Sequence, residues 1–396
     1  MNIQRIQVPD FRALKNVDIN FEKEFTPRIF PLGSQNGGGK STLLQLIFVL
    51  LHCSHNPDRV EFIQNLLDGF HVNDESGKRK LAIIDIWDGN KTVTLDFFIC
   101  SESYIVNLLN QDDLHSESYI VNSLNQDDEQ VKLTSFYEEK LEKYISLFFI
   151  YNFQSAENFI ERLVCQVDGI DDIHDVSKFV IELSNKIFLT AHISQIFLFL
   201  QPDNRKSLFK TQANNQTNYY QQIKTANSKL PGFFTYDFLS IDILIEVFKK
   251  ARNDDFAQAV KQRGNYGNNY VKLLDELNNL LSNKKINVQP DLSGINFKID
   301  GDETELYPED LSHGELKRLC IYMWLKHNKI EDAIVLMDEL EISFHPDWQY
   351  QIVRDLEEWG ATNQYILATH SYELCNAVTP AHVKELDPKL QARKIK

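Results

Sequence analysis

The chain has 396 residues, 43% of them hydrophobic and 25% charged, the composition of a folded globular protein with room for one large domain or two to three modest ones. Its net charge of −16 excludes generic coating of nucleic acid, so any contact with DNA or RNA needs a local basic patch or a partner. No apolar run reaches the roughly 18 residues of a membrane span. The start "MNIQRIQVPDF" has no signal core, and five cysteines without CxxC spacing read as reduced thiols, so a cytoplasmic protein is expected.

Residues 3–8 ("IQRIQV") and 16–21 ("NVDINF") predict two short strands joined by "PDFRALK". A third strand, "RIFPL" (28–32), runs into "GSQNGGGKST" (33–42), and "KSTLLQLIFVLLH" (40–52) has the length and residues of a helix. A glycine-rich segment between a strand and a helix is the setting of a phosphate-binding loop. Counted back from Lys40, the first glycine of the usual spacing falls on Ser34, with Gly33 one place early. Gly37, Gly38 and Gly39 lack Cβ atoms, so their N–H groups can converge on phosphate, and the helix N-terminus adds partial positive charge. Lys40 is expected to reach the β- and γ-phosphates and Ser41 to hold Mg²⁺. Ser34, Asn36 and Thr42 complete the expected nucleotide contacts. Read alone, the same residues also suit a glycine-rich turn.

Further on, 81–87 and 91–99 flank "DGN" and predict a half-buried hairpin. "SESYIVNLLNQDD" (101–113) recurs almost unchanged at 116–128, a local duplication in a peripheral insertion (100–130). Residues 145–153 predict a buried strand. From 155 to 290 the texture is helical: Ile241, Leu244, Ile245 and Phe248 share one face, and Val271, Leu274, Leu277 and Leu281 another. The segment 212–222 ("QANNQTNYYQQ") predicts a polar loop. Strand texture returns at 332–339 ("DAIVLMDE") and 364–370 ("QYILATH"). The expected organisation is an α/β head split into 1–155 and 300–380, a mainly helical insertion at 156–299 and a tail at 381–396.

Three further motifs follow the glycine loop. "LSHGELKRL" (311–319) opens a helix, and Ser312, Gly314 and Glu315 suit either a terminal phosphate or a capping box. "DAIVLMDEL" ends a buried strand in Asp338, a Mg²⁺ partner, and Glu339, a candidate base for the attacking water. His370 follows the next strand, where an imidazole can touch a γ-phosphate. Each has a bland reading; their order makes chance a poor account, so the loop is expected to bind nucleotide despite the shifted glycine. "HCSH" (52–55) has metal-ligand residue types but ends the loop's helix.

This arrangement resembles the ABC-type ATPase heads of the SMC, RecF and OLD group. "SQNGGGKST" matches Walker A, "LSHGE" the signature, "IVLMDE" Walker B and "ATHS" the switch histidine. "ELEISFHPDWQ" looks like the stretch after Walker B in OLD-like heads. The resemblance implies a P-loop NTPase head, with a mixed parallel core sheet and an antiparallel N-terminal sheet, that uses ATP and Mg²⁺. It also implies that Arg12 approaches phosphate, that Gln154 is the Q-loop residue on Mg²⁺, and that Lys40 of one chain faces Ser312 of another across an ATP-bridged homodimer. Ser34 for glycine and His313 for the signature's second glycine depart from the pattern and are expected to slow hydrolysis.

Many compact heads of this kind serve bacterial anti-phage defence. Only 26 residues follow His370, too few for a nuclease domain, so a nuclease is expected to act in trans. That looks like the Septu ATPase subunit, which works with an HNH nuclease and is sometimes encoded beside a retron reverse transcriptase with its DNA and RNA. A RecF-like repair ATPase and a nucleotide-sensing scaffold with little turnover stay open beside it. "KQRGNYGNNYVK" (261–272) interleaves Lys261, Arg263 and Lys272 with Tyr266 and Tyr270, which suits nucleic acid or a solvated helix face.

Overall fold

The computed structural model describes residues 1–34, 37–72, 76–105, 147–154, 160–170, 172–192, 228–236, 240–302 and 304–386. Asn36, most of the duplicated segment, the polar loop at 212–222 and the end of the tail lie outside them.

Strands β1 (Asn2–Phe11) and β2 (Leu14–Asn20) pair around a tight turn, and β3 (Ile29–Gly33) leads through the glycine loop into α1 (Lys40–Cys53). After α2 (Val60–Leu67) come β4 (Lys78–Trp87), β5 (Thr92–Ser101), β6 (Leu147–Gln154) and β7 (Ile160–Asp168). Then α3 (Ile173–Asn185), β8 (Ile187–Ala191) and β9 (Phe233–Thr235) precede a helical hairpin, α4 (Ser240–Lys261) and α5 (Asn269–Leu280). A small sheet of β10 (Lys284–Val288), β11 (Ile295–Ile299) and β12 (Glu305–Leu306) leads to α6 (His313–His327). The chain ends in β13 (Ile334–Asp338), α7 (Pro346–Trp359), β14 (Gln364–Ala368), α8 (Tyr372–Asn376) and β15 (Lys384–Glu385).

Two six-stranded sheets result. One has the order β2-β1-β4-β5-β7-β6 and is antiparallel. The other, β15-β3-β14-β13-β8-β9, is parallel in every pairing. Helix α1 fills the space between them, which is why "KSTLLQLIFVLLHC" has no polar face: from Leu43 to Cys53 every residue is buried. The parallel strands are covered on both sides and are therefore near-continuous apolar runs. Ile334, Leu336 and Ile366 face α1, while Val335, Met337 and Leu367 face a second core with α4 to α7. Gln364 clamps the two sheets: its side chain accepts from Ile3 N at 2.7 Å and donates to Ile3 O at 2.8 Å.

The range 156–299, expected as a mainly helical insertion, also contributes strands to both sheets: β7 pairs with β5 and β6 in the antiparallel sheet, and β8 and β9 extend the parallel one. These short apolar runs carry no period that separates strand from helix. On α5 the buried stripe is Leu273 and Leu277, continued by Leu281, whereas Val271 is exposed. Leu244 and Phe248 of α4 are buried as predicted.

Candidate nucleotide-binding site

Neighbouring strands in the order β3-β14-β13 bring three chain segments to one sheet edge. The glycine loop leaves β3, His370 follows β14 and Asp338 ends β13, with Asp338 in register with Ala368 and Ala368 with Leu32. Parallel sheets of this kind present ligands at the carboxyl ends of their strands.

Gly37 and Gly39 both take positive φ, 84° and 89°, whereas Gly38 between them does not. At Gly39 a Cβ would also come within 2.7 Å of Leu14 Cδ2, so the β1–β2 turn packs directly on the loop. Lys40 is buried, and its ammonium donates to the Ser34 carbonyl (3.2 Å) and hydroxyl (3.1 Å) and to His370 Nε2 (2.9 Å). The serine at the shifted position thus supplies two acceptors to the loop lysine. Ser41 Oγ donates to Asp338 Oδ1 at 3.0 Å. Thr42, half-buried, follows in the first turn of α1.

Asp338 is 1% exposed, and among the described residues its Oδ2 has no partner. Its pKa is pushed up to about 7, chiefly by burial and also by the charges of Glu339 and Glu341, against the Ser41 hydrogen bond and the Lys40 charge. A buried carboxylate oxygen without a partner beside a serine hydroxyl fits a hard divalent cation. Among the described residues no three His, Cys, Asp or Glu side chains converge on a metal. Mg²⁺ needs no such cage, since it is usually held by one or two protein groups plus phosphate and water. Glu339 stands at the strand end with φ of 50°, its N–H donating to Ala368 O at 2.9 Å.

The signature-like segment opens α6, beside the turn after β13. Ser312 caps α6 in a reciprocal box: Glu315 N donates to Ser312 Oγ (3.2 Å), and Ser312 N to Glu315 Oε2 (3.0 Å). Glu315 also takes Lys284 at 2.6 Å. Burial opposes its ionisation, but Lys284 and Ser312 outweigh that and hold its pKa below the ordinary value. A Cβ on Gly314 would sit 2.7 Å from Ser343 O, so the helix start touches the turn after β13. Arg12 donates to Leu66 O (2.7 Å), at the end of α2. Gln154 closes β6 opposite Ile160; its side chain, like Asn36, is outside what is described. His52 and Cys53 of "HCSH" are buried: His52 Nδ1 lies 2.7 Å from Ser184 O, and burial takes the imidazole down to about 4 and the thiol up to about 12.

Two residues escaped the sequence reading. Glu341 Oε1 accepts the backbone N–H of His370 at 2.7 Å, tying the turn after β13 to the histidine. Lys317, buried on α6, donates to Glu339 O and Ile342 O (both 3.2 Å) and lies 4.0 Å from the Tyr236 ring centroid. The second acid in "DELE" was the available signal for Glu341; Lys317 looked like any surface lysine of a helix.

A glycine loop between a parallel strand and a helix, with a buried lysine, a serine and a strand-end aspartate, defines a P-loop nucleotide-binding fold. More closely, residues 1–375 match the AAA ATPase domain family, and the chain belongs to it. It is similar to the retron Vc95 probable ATPase of Vibrio cholerae serotype O1 biovar El Tor, 26% identical over 205 residues, covering 44% of this chain and 39% of that protein. A shorter match, 36% over 51 residues (13% of this chain, 9% of the relative), is to the retron Ec83 probable ATPase of Escherichia coli. The chain thus spans well under half the length of the curated relatives it matches. Among solved structures it is similar to an SMC head domain from Thermotoga maritima (9% identity, TM-score 0.44) and to an SmcHead bound to the C-winged helix domain of ScpA (12%, 0.42). Both alignments cover 96% of this chain and 92% of the other.

Proposed function

We propose that this chain is a Mg²⁺-dependent ATPase whose ATP-bridged dimer controls a separate nuclease, of HNH type, in bacterial anti-phage defence, beside a retron reverse transcriptase. The observation that carries the ATPase reading is the meeting of Lys40, His370, Ser41 and Asp338 at one sheet edge. The likeness to retron ATPases supports the defence setting.

In this reading Lys40 exchanges Ser34 and His370 for the β- and γ-phosphates. Ser41 and Asp338, with Gln154, would hold Mg²⁺, which would offset the phosphate charge. Glu339 takes a proton from the attacking water as its oxygen bonds to the γ-phosphorus; the bond to the β–γ bridging oxygen breaks and ADP keeps that oxygen. His370, freed from Lys40, contacts the γ-phosphate. Ser312 and Gly314 of the second chain close the site, and Lys317 carries the state of the Glu339 turn to α6.

Native mass spectrometry of the chain, pulled from its host with neighbouring gene products with and without ATP, tests this. A stable complex with a separate nuclease supports the reading. A bare dimer that forms only with ATP, together with duplex-DNA binding at physiological salt, would replace the defence role with repair.

A further inference from the structure

The α4–α5 hairpin carries a surface unlike the rest of this acidic chain. Between residues 249 and 272 six cations are exposed: Lys249, Lys250, Arg252, Lys261, Arg263 and Lys272. None makes an ion pair with a described residue. Over the same stretch Asp254 is the one exposed acid, because Asp255 is buried. Among these charges stand Phe256 and Tyr266, 58% and 64% exposed, with Val260 and Val271 also open.

The surface is built rather than loose. Asp255 accepts the N–H groups of Asn269 (2.8 Å) and Tyr270 (2.9 Å), which docks the turn onto α4. Gly267 allows this approach, since a Cβ there would lie 2.3 Å from Asp255 Oδ1. The Tyr270 ring is braced by Phe248 at 5.3 Å between centroids. Beside these rings lies an open cavity of about 380 Å³ lined by Arg252, Asn253, Asp255, Phe256, Tyr266, Gly267 and Tyr270, in which the Asp255 carboxylate is taken up by the Asn269 and Tyr270 N–H groups.

Unpaired cations ask for an anionic partner, and exposed rings ask for flat apolar groups. Single-stranded nucleic acid supplies both: phosphates for the cations, and base faces for the rings. A duplex hides its base faces, and an acidic protein offers charge without them. We propose that the tip of the α4–α5 hairpin binds single-stranded DNA or RNA, with phosphates met by the exposed cations around the tip and bases against Phe256 and Tyr266, which line one cavity with Arg252. This surface lies outside the nucleotide site, so it stands or falls independently of the ATPase reading.

The test is fluorescence anisotropy with the full chain without ATP. The probes are a labelled mixed-sequence single-stranded DNA, the same sequence as RNA, and the DNA duplex. Both single strands, or one of them, should bind in preference to the duplex, which also tells which source is used. The double variant Lys261→Glu/Arg263→Glu should lose about tenfold or more and flatten the salt dependence. Phe256→Ala and Tyr266→Ala should each lose on the order of tenfold. ATP binding by all these variants should match the unaltered chain, which separates local loss from misfolding. Absence of single-strand binding, equal binding by the variants, or preference for the duplex would overturn the proposal. So would polyglutamate competing at the same affinity while the aromatic variants behave normally, which would assign the surface to an acidic protein.

Discussion

The proposed Mg²⁺ role of Asp338 implies a pH dependence for metal binding. Burial keeps its carboxyl protonated up to about 7, against about 3.9 for an unfolded aspartate. The raised value stabilises the metal-free fold at low pH, and that contribution drains away as pH rises from about 4 through about 7. Below about 7 Mg²⁺ must displace the proton, so its affinity should climb towards neutrality and level off above it. Thermal melts with and without Mg²⁺ should show a larger Mg²⁺ stabilisation at pH 8 than at pH 6; equal shifts would remove Asp338 as the metal's partner. Lys40→Ala should abolish nucleotide binding by calorimetry. Glu339→Gln should keep ATP binding and lose roughly a hundredfold or more in kcat, the usual worth of a general base; unchanged turnover would remove Glu339 from that role. Glu341→Ala removes the charged acceptor of His370 N–H, a bond of about 1.5–3 kcal/mol. Its kcat should fall about tenfold or more, and Glu341→Gln, which retains an acceptor oxygen, should fall less.

At the scale of elements, the packing of the helical hairpin and of the start of α6 can be probed by single changes. Leu277 is fully buried between α5 and its neighbours, so Leu277→Ala should cost about 2–5 kcal/mol in chemical denaturation. Gly314→Ala pushes a methyl against Ser343 O and should cost about 1–3 kcal/mol, and it should also impair ATP-dependent dimerisation if α6 closes the partner's site. The strands that form the site were legible because five buried apolar residues ending in Asp338 and Glu339 have few other uses. The stripe on α5 was misread because spacings of three and four both fit a helix, and contact with α4 selects Leu273 over Val271.

At the scale of the whole molecule, the parallel sheet joins strands from the start, the middle and the end of the chain. The site is assembled from segments about 300 residues apart, such as Lys40 and His370, so it should be lost together with the fold rather than piecemeal. Analytical ultracentrifugation of Glu339→Gln should show a dimer with ATP and Mg²⁺ and a lighter species without; one unchanged species under both conditions would argue against an ATP-bridged assembly.

The sequence by itself determined which segments form the candidate site. Glycines that tolerate positive φ, a strand ending in acids and a histidine after a strand are local facts, legible because backbone freedom and burial leave few alternative residue types. It could not determine who meets whom. Strand order β3-β14-β13 is a tertiary outcome, and it alone places Lys40 at His370 and Ser41 at Asp338. Only the folded chain made Glu341 the anchor of His370 and buried Lys317 against the turn, because both depend on loops packed from distant positions. Composition hid the charge of the hairpin tip in the same way: a total of −16 says nothing of where six cations gather.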